Sequence, residues 1–268
     1  MSQIFGFIGA GNMGGALARA AAKAVGAENV LVSDVYAPAA QKLAAELSCK
    51  IAEGADVAAQ ADFIFLGVKP QMMASMLADI APVLAKRKTP FILVSMAAGI
   101  CIADIRKMAG GEYPVIRIMP NIPVKAGGGM ILYDATENVT SEALEAFLSG
   151  MQYSGCLDRL PEKLIDAGSA LSGCGPAFVS LFIEALADGA VACGLPRAQA
   201  MQYAEQTLMG TAKLLLETGE HPGQLKDAVC SPGGSTIQGV RVLEEGGLRG
   251  IVIDAVQAAY ERTLELGK

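Results

Sequence analysis

Ile4-Phe5-Gly6-Phe7-Ile8-Gly9-Ala10-Gly11-Asn12-Met13-Gly14 is an apolar run that turns on glycines into an Ala-rich stretch from Gly15 to about Lys23. The order is strand, tight turn, helix. In such a turn Gly9 permits the reversal, Gly11 lets backbone approach a pyrophosphate, and Gly14 lets helix pack on strand. The helix amino terminus adds N–H donors and the positive end of its dipole. A glycine pattern alone is weak, but its placement between a strand and a helix favours a dinucleotide turn over a merely flexible one.

Working outward, short apolar runs at Ile4–Ile8, Val30–Ser33, Phe63–Val68, Phe91–Met96 and Val115–Met119 predict strands, with helical pattern between the first four. The runs are continuously apolar, as expected of a parallel sheet covered by helices on both faces. Met130–Tyr133 predicts a late strand, Thr140 the cap of a helix to about Ser149, and Cys156–Leu160 the end of that region before Pro161. Residues 162 to 268 then read as helices throughout, at Ala177–Ala192, Ala198–Glu217, Gly234–Glu245 and Leu248–Leu266. The fold class is α/β, with a Rossmann dinucleotide-binding domain over residues 1–158 and an all-helical domain over 159–268.

Composition narrows the partners. The 21 Lys+Arg against 27 Asp+Glu leave a net charge of −6 and no dense basic run, so a nucleic-acid backbone has no electrostatic footprint to meet. The chain is 52% hydrophobic, yet its long uncharged stretch Ala167–Ile183 is broken by Gly173, Gly175 and Pro176, and no transmembrane span is expected. Apolar excess that one core cannot absorb predicts a homo-oligomer. Met1-Ser2-Gln3 carries no basic n-region or small-residue cleavage site, which points away from secretion. Six cysteines without a CxxC pair and a lone His221 form no plausible metal set. A reducing cytoplasm is expected, with the cysteines as buried small hydrophobes.

Three further segments fall at carboxyl ends of strands, where an open α/β sheet binds its ligands: Val68-Lys69-Pro70, Met96-Ala97-Ala98-Gly99 and Arg117-Ile118-Met119-Pro120-Asn121. Lys69 reads either as an ordinary strand-end lysine or as part of a cofactor channel. Asn121 reads as orienting a nicotinamide or as stabilising a turn. Ser33 and Asp34 close the second strand. A carboxylate there accepts hydrogen bonds from the adenosine ribose and repels a 2′-phosphate, and Val35–Ala39 contain no Arg, so this rule points to NAD. The alternative is a solvent-facing Asp34, with Ser33 and backbone amides contacting the ribose or phosphate.

The helical half carries Ser172-Gly173-Cys174-Gly175-Pro176-Ala177-Phe178, then His221-Pro222-Gly223 and Val229-Cys230-Ser231-Pro232-Gly233-Gly234-Ser235-Thr236. In order and spacing these segments, with those of the first half, resemble pyrroline-5-carboxylate reductases along essentially the whole chain. The Ser-Pro-Gly-Gly-x-Thr element is the most specific. Cys174 departs from a commoner Ser. The resemblance implies an all-helical C-terminal dimerisation domain, a homodimer that often assembles further, and reduction of 1-pyrroline-5-carboxylate to L-proline in proline biosynthesis. It implies a nicotinamide cofactor, commonly NADPH, on Gly9, Ala10, Gly11, Asn12, Met13, Gly14, Ser33, Asp34, Val68, Lys69, Pro70, Met96, Ala97, Ala98 and Asn121. It places substrate at Ser172, Gly175, Pro176, Ser231, Gly233, Gly234, Ser235 and Thr236, with Thr236 catalytic at the imine nitrogen.

Hydride transfer to a C=N bond requires no strong acid, because a protonated imine is electrophilic and the amine keeps the proton. That fits a chain without an evident catalytic His, Cys or carboxylate dyad. Without the resemblance, Ser231–Thr236 reads as an interhelical turn with Ser235 or Thr236 as a cap. Two rivals remain: a β-hydroxyacid dehydrogenase, which uses a lysine early in a helix of its second domain, and a non-enzymatic nucleotide sensor. Pro176–Val191 holds no Lys or Arg, against the first. A sensor needs no Ser231–Thr236 loop.

Overall fold

The computed structural model describes residues 3–266, and in it the opening apolar run forms β1 (Phe5–Ile8) and the glycine turn leads into α1 (Asn12–Val25). The chain continues through β2 (Val30–Ser33), α2 (Ala37–Leu47), β3 (Lys50–Ile51), α3 (Gly54–Gln60), β4 (Phe63–Leu66), α4 (Pro70–Lys86), β5 (Ile92–Ser95), α5 (Ile102–Ala109) and β6 (Val115–Pro120). Then β7 (Gly129–Ala135), α6 (Ser141–Gly150) and β8 (Gly155–Arg159) complete an eight-stranded sheet in the order β3-β2-β1-β4-β5-β6-β7-β8. Strands β1 to β6 are parallel, β7 runs against β6, and β8 runs with β7. Thr140 caps α6 as expected, its hydroxyl accepting from Ala143 N at 3.2 Å. The two-residue edge strand β3 and the strand character of β8 back to Gly155 lie outside the sequence expectation.

Alternation along each buried strand divides the core in two. Phe5, Phe7, Phe63 and Phe65 face α1 and α6, while Leu31, Ile64, Leu66 and Leu93 face α3, α4 and α5. On the first face Phe7 stacks on Phe65 at 4.3 Å between centroids, and Phe147 of α6 closes the group at 6.0 Å from Phe63 and 6.2 Å from Phe65. On the second face Gly6 is required by proximity: a Cβ there would stand 2.5 Å from Val57 Cγ1 and 2.6 Å from Ala61 Cβ.

Helix α7 (Glu162–Ser172) belongs to the sheet by contact. Arg117 of β6, 3% exposed, donates to Glu162 Oε1 at 3.2 Å and to Asp166 Oδ1 at 2.9 Å, and Asp134 Oδ2 accepts from Glu162 N at 2.8 Å. Ile165 is buried beside Met119 and Leu132. The first compact unit therefore runs to Cys174, past the sequence boundary near residue 158, and also takes in the chain from Ala259.

The second unit, Gly175–Ala258, is helical: α8 (Gly175–Ala192), α9 (Arg197–Thr218), α10 (Pro222–Val229), α11 (Ser235–Glu245) and most of α12 (Leu248–Leu266). Ala187 of α8 meets Ala200 and Ala204 of α9, small residues that let two helices approach closely. Helix α10 occupies what the sequence suggests is a loop. It forms because His221 caps it: Nδ1 accepts from Gly223 N at 3.1 Å and Gln224 Oε1 accepts from His221 N at 3.2 Å. The single histidine is thus structural.

One expectation changes. None of the six cysteines is fully buried, and Cys156 and Cys193 are exposed, because each lies at an element end or on an outer face. By length and composition alone, Glu162–Ala192 is long and apolar enough to cross a membrane. Its first part is α7, tied to the sheet by Arg117.

Removing the Phe147 ring leaves a hole between three aromatic partners. Phe147→Ala is expected to destabilise the chain by about 3–5 kcal/mol, checked by denaturant unfolding followed by circular dichroism.

Candidate active site

At the carboxyl ends of β1 and β4, backbone packs on backbone. Gly9, at φ +113°, donates to Ser33 O at 2.7 Å, and Gly67 donates to Ile8 O at 2.7 Å. A Cβ on Gly9 would overlap Gly67 O, one on Gly14 would overlap Gly9 O, and one on Gly67 would stand 2.9 Å from Gly9 O. Gly11 differs: a Cβ there meets nothing within 4 Å. Gly11 is also the N-cap of α1, whose first intrahelical bond is Gly15 N to Gly11 O at 2.8 Å. The amides of Asn12, Met13 and Gly14 precede that bond and have no helical partner. No acidic residue stands in this first turn. Open space over Gly11 beside free amides fits the diphosphate of a dinucleotide.

This loop opens on a cleft of about 710 Å³ that gathers Gly9, Gly11, Ser33, Asp34, Val68 and Lys69. Asp34 is held at both oxygens, Oδ2 accepting from Ala10 N at 2.7 Å and Oδ1 from Tyr36 N at 2.8 Å. The carboxylate therefore links the end of β2 to the glycine loop instead of facing solvent freely. Lys69 is the N-cap of α4, with Pro70 at the first helical position, and its side chain is exposed on the cleft. The far wall was not anticipated: Glu53 and Gly54 at the start of α3, and Gln71, Ser75 and Asp79 along α4. The signal for the α4 residues was the i, i+4, i+8 spacing of three polar residues in a helix whose one other charged residue is Lys86 at its end.

Met96, Ala97 and Ala98 follow β5 on the same sheet edge, with Ala97 buried. Asn121 follows β6, and both ends of its amide are engaged: Nδ2 donates to Ser172 O at 2.9 Å and Oδ1 accepts from Met130 N at 2.8 Å. A residue placed by sequence on the cofactor side thus bonds one placed on the substrate side. The thiols of Cys49 and Cys101 are pushed up by burial, and at Cys101 the hydrogen bond to Asp104 adds to this, so neither is an activated nucleophile.

The second unit carries the rest. Gly175 and Pro176 begin α8, where a Cβ on Gly175 would meet nothing within 4 Å. Ser231–Gly234 form a turn closed by Gly234 N to Ser231 O at 3.0 Å, with Gly233 at φ +69°. Neither Ser235 nor Thr236 is the cap of α11. Gly234 is, so both exposed hydroxyls stand in the first turn beside its amides.

Residues 162–266 match the pyrroline-5-carboxylate reductase dimerisation family, and residues 4–99 match the family described as NADP oxidoreductase coenzyme F420-dependent. The chain is 42% identical to the pyrroline-5-carboxylate reductase of Methanosarcina acetivorans over 100% of this chain and 99% of that one. It is also 42% identical to that of Escherichia coli over 100% of both.

The chain belongs to the pyrroline-5-carboxylate reductase family.

Solved structures agree with that membership. The pyrroline-5-carboxylate reductase of Coxiella burnetii superposes with a TM-score of 0.91 at 31% identity, covering 100% of both chains. The Plasmodium falciparum pyrroline carboxylate reductase with NADP bound gives 0.87 at 32% identity, again over 100% of both. As a member of the pyrroline-5-carboxylate reductase family the chain is an NAD(P)-dependent oxidoreductase, and the hydroxyacid dehydrogenase and sensor readings fall away. The second family match is confined to the nucleotide fold and carries no statement about the electron acceptor.

The glycines predict a contrast. Gly14→Ala should destabilise by about 1–3 kcal/mol, because Gly9 O must move, whereas Gly11→Ala meets no atom and should cost less than about 1 kcal/mol, as the loss of a glycine N-cap. Thermal melting of the two variants checks it.

Proposed function

We propose that this chain transfers hydride to the C=N bond of 1-pyrroline-5-carboxylate, giving L-proline as the final step of proline biosynthesis, with NADPH or NADH as reductant. The observation that carries the reading is one chain, in this family, bearing both the open glycine cradle at Gly11 and the Ser231–Thr236 turn with free first-turn amides. Residues 1–158 serve the nucleotide, and residues 159–268 serve substrate and dimerisation.

Bound reduced nicotinamide supplies the hydride. The amides of Asn12, Met13 and Gly14, with Ala10 and Gly11 as the approach, would hold the pyrophosphate, and Ser33 with Asp34 the adenosine ribose. Val68, Lys69, Pro70, Met96, Ala97, Ala98 and Asn121 line the path toward the nicotinamide end. The tie from Asn121 to Ser172 O keeps Ser172, ahead of Gly175 and Pro176, at a fixed height on the sheet edge. The amides of Ser235, Thr236 and Ile237, shaped by Gly233 and Gly234, bind the substrate carboxylate, and no acidic residue in that turn opposes it. Thr236 Oγ1 accepts from the protonated imine nitrogen and orients the ring. The chemistry asks these groups to position and not to titrate.

Exposed Val179, Leu181 and Leu186 on α8 and Ile251, Val252 and Ile253 on α12 form apolar surface that one chain leaves uncovered. A second copy covers it, in a homodimer that assembles further, in the cytoplasm and without lipid or nucleic acid as partner.

Purified protein should oxidise NADPH or NADH on addition of pyrroline-5-carboxylate, and no imine-dependent oxidation with either nucleotide would refute the activity. Thr236→Ala should lower kcat about 10- to 100-fold through loss of one hydrogen bond to a charged group, with nucleotide Kd unchanged. Sizing by light scattering should give a dimer or a multiple of dimers, and a stable monomer would contradict the coverage of α8 and α12.

A further inference from the structure

Asp34 ends β2 as a carboxylate fixed by two backbone donors, Ala10 N at 2.7 Å and Tyr36 N at 2.8 Å. It cannot turn away without releasing the glycine loop, and it lines the cleft beside Ser33 and Val35. The cations of the neighbourhood are engaged elsewhere. Arg19 forks onto Glu46 with two bonds of 2.6 Å, and Lys42 also acts on Glu46. Val35–Gln41 contains no basic residue. Around the cleft, Asp34, Glu53 and Asp79 supply three carboxylates against the one ammonium of Lys69. A ribose with free 2′ and 3′ hydroxyls has protons to donate to a carboxylate so held. A 2′-phosphate adds about −1.5 to −2 charges and no donor.

From this we infer that Asp34 is the specificity-determining residue for the nucleotide and that the enzyme binds NADH in preference to NADPH. The inference rests on the dinucleotide reading of the cleft and names which of two reductants that site takes. Asp34 contributes twice: it accepts from the ribose, and it confronts the phosphate with like charge in a cleft where three carboxylates outnumber the one ammonium of Lys69 and no arginine lines the wall.

The test is a titration of NADH and of NADPH with the full chain in the absence of imine, read by the emission of the reduced nicotinamide. Expected for the unaltered protein is a Kd for NADH about tenfold or more below that for NADPH. Asp34→Asn keeps the shape and drops the charge, and should close most of that gap. Because any change at Asp34 touches the loop amides, Val35→Arg is the companion variant: Val35 is 88% exposed on the same cleft, and an arginine there should tighten NADPH severalfold with both Asp34 bonds in place. A protein that binds NADPH as tightly as NADH overturns the inference, as does a Kd ratio that neither variant moves. Discrimination between nucleotides without imine-dependent oxidation would defeat the assigned activity and leave this inference standing. Imine reduction with no preference for NADH would do the reverse.

Discussion

Where β1, β4 and α1 converge, the absence of three Cβ atoms lets main chain lie directly on main chain. Gly9, Gly14 and Gly67 are each in van der Waals conflict with any larger residue, so the contact has no side-chain substitute. It falls between the two strands from which the sheet is built in opposite directions, β2 and β3 to one side and β5 onward to the other. Helices leaving β1 and β4 depart to opposite faces at that point, and a crevice opens between them. The crevice, the direction of the α1 amides and the position of Asp34 all follow from this one approach.

A second set of ties fixes the sheet's far half. Arg117 reaches from the buried middle of β6 to two carboxylates on α7, and Asn121 from the end of the same strand to the last carbonyl of that helix and to β7. Ion pairs in such a setting add little net stability over apolar packing, but breaking one leaves a charge stranded. They therefore define where α7 can lie. Through Ser172 O they also fix where α7 ends.

How much of this was legible follows from what makes each signal. Strands covered on both faces are continuously apolar, so β1, β2, β4, β5 and β6 were readable within a residue or two, and the glycine turn declared itself by following one of them. Lys50–Ile51 pairs at an exposed edge and carries no pattern at all. Helix α10 was hidden because Glu220-His221-Pro222-Gly223 has the composition of a loop, and only the side chain of His221 turning onto its own backbone makes it a start. The α1 side of the crevice was read from glycines, whereas the α3 and α4 side was missed because its polar residues look like an ordinary wet face. Ser231–Thr236 was read as a substrate loop by resemblance. Physics alone gives a turn and a helix start there, since the amides that would bind a carboxylate are those any helix exposes at its first turn.

The sheet has two open edges, and neither invites another strand. One is β3, two residues long and carrying Lys50, and the other is β8, which starts at Gly155, with φ +130°, and ends in Asp158 and Arg159. Short length and charge on an edge discourage the intermolecular ladders by which sheets aggregate. A concentrated solution of this chain thus has its route to β-type association discouraged at both ends of the sheet.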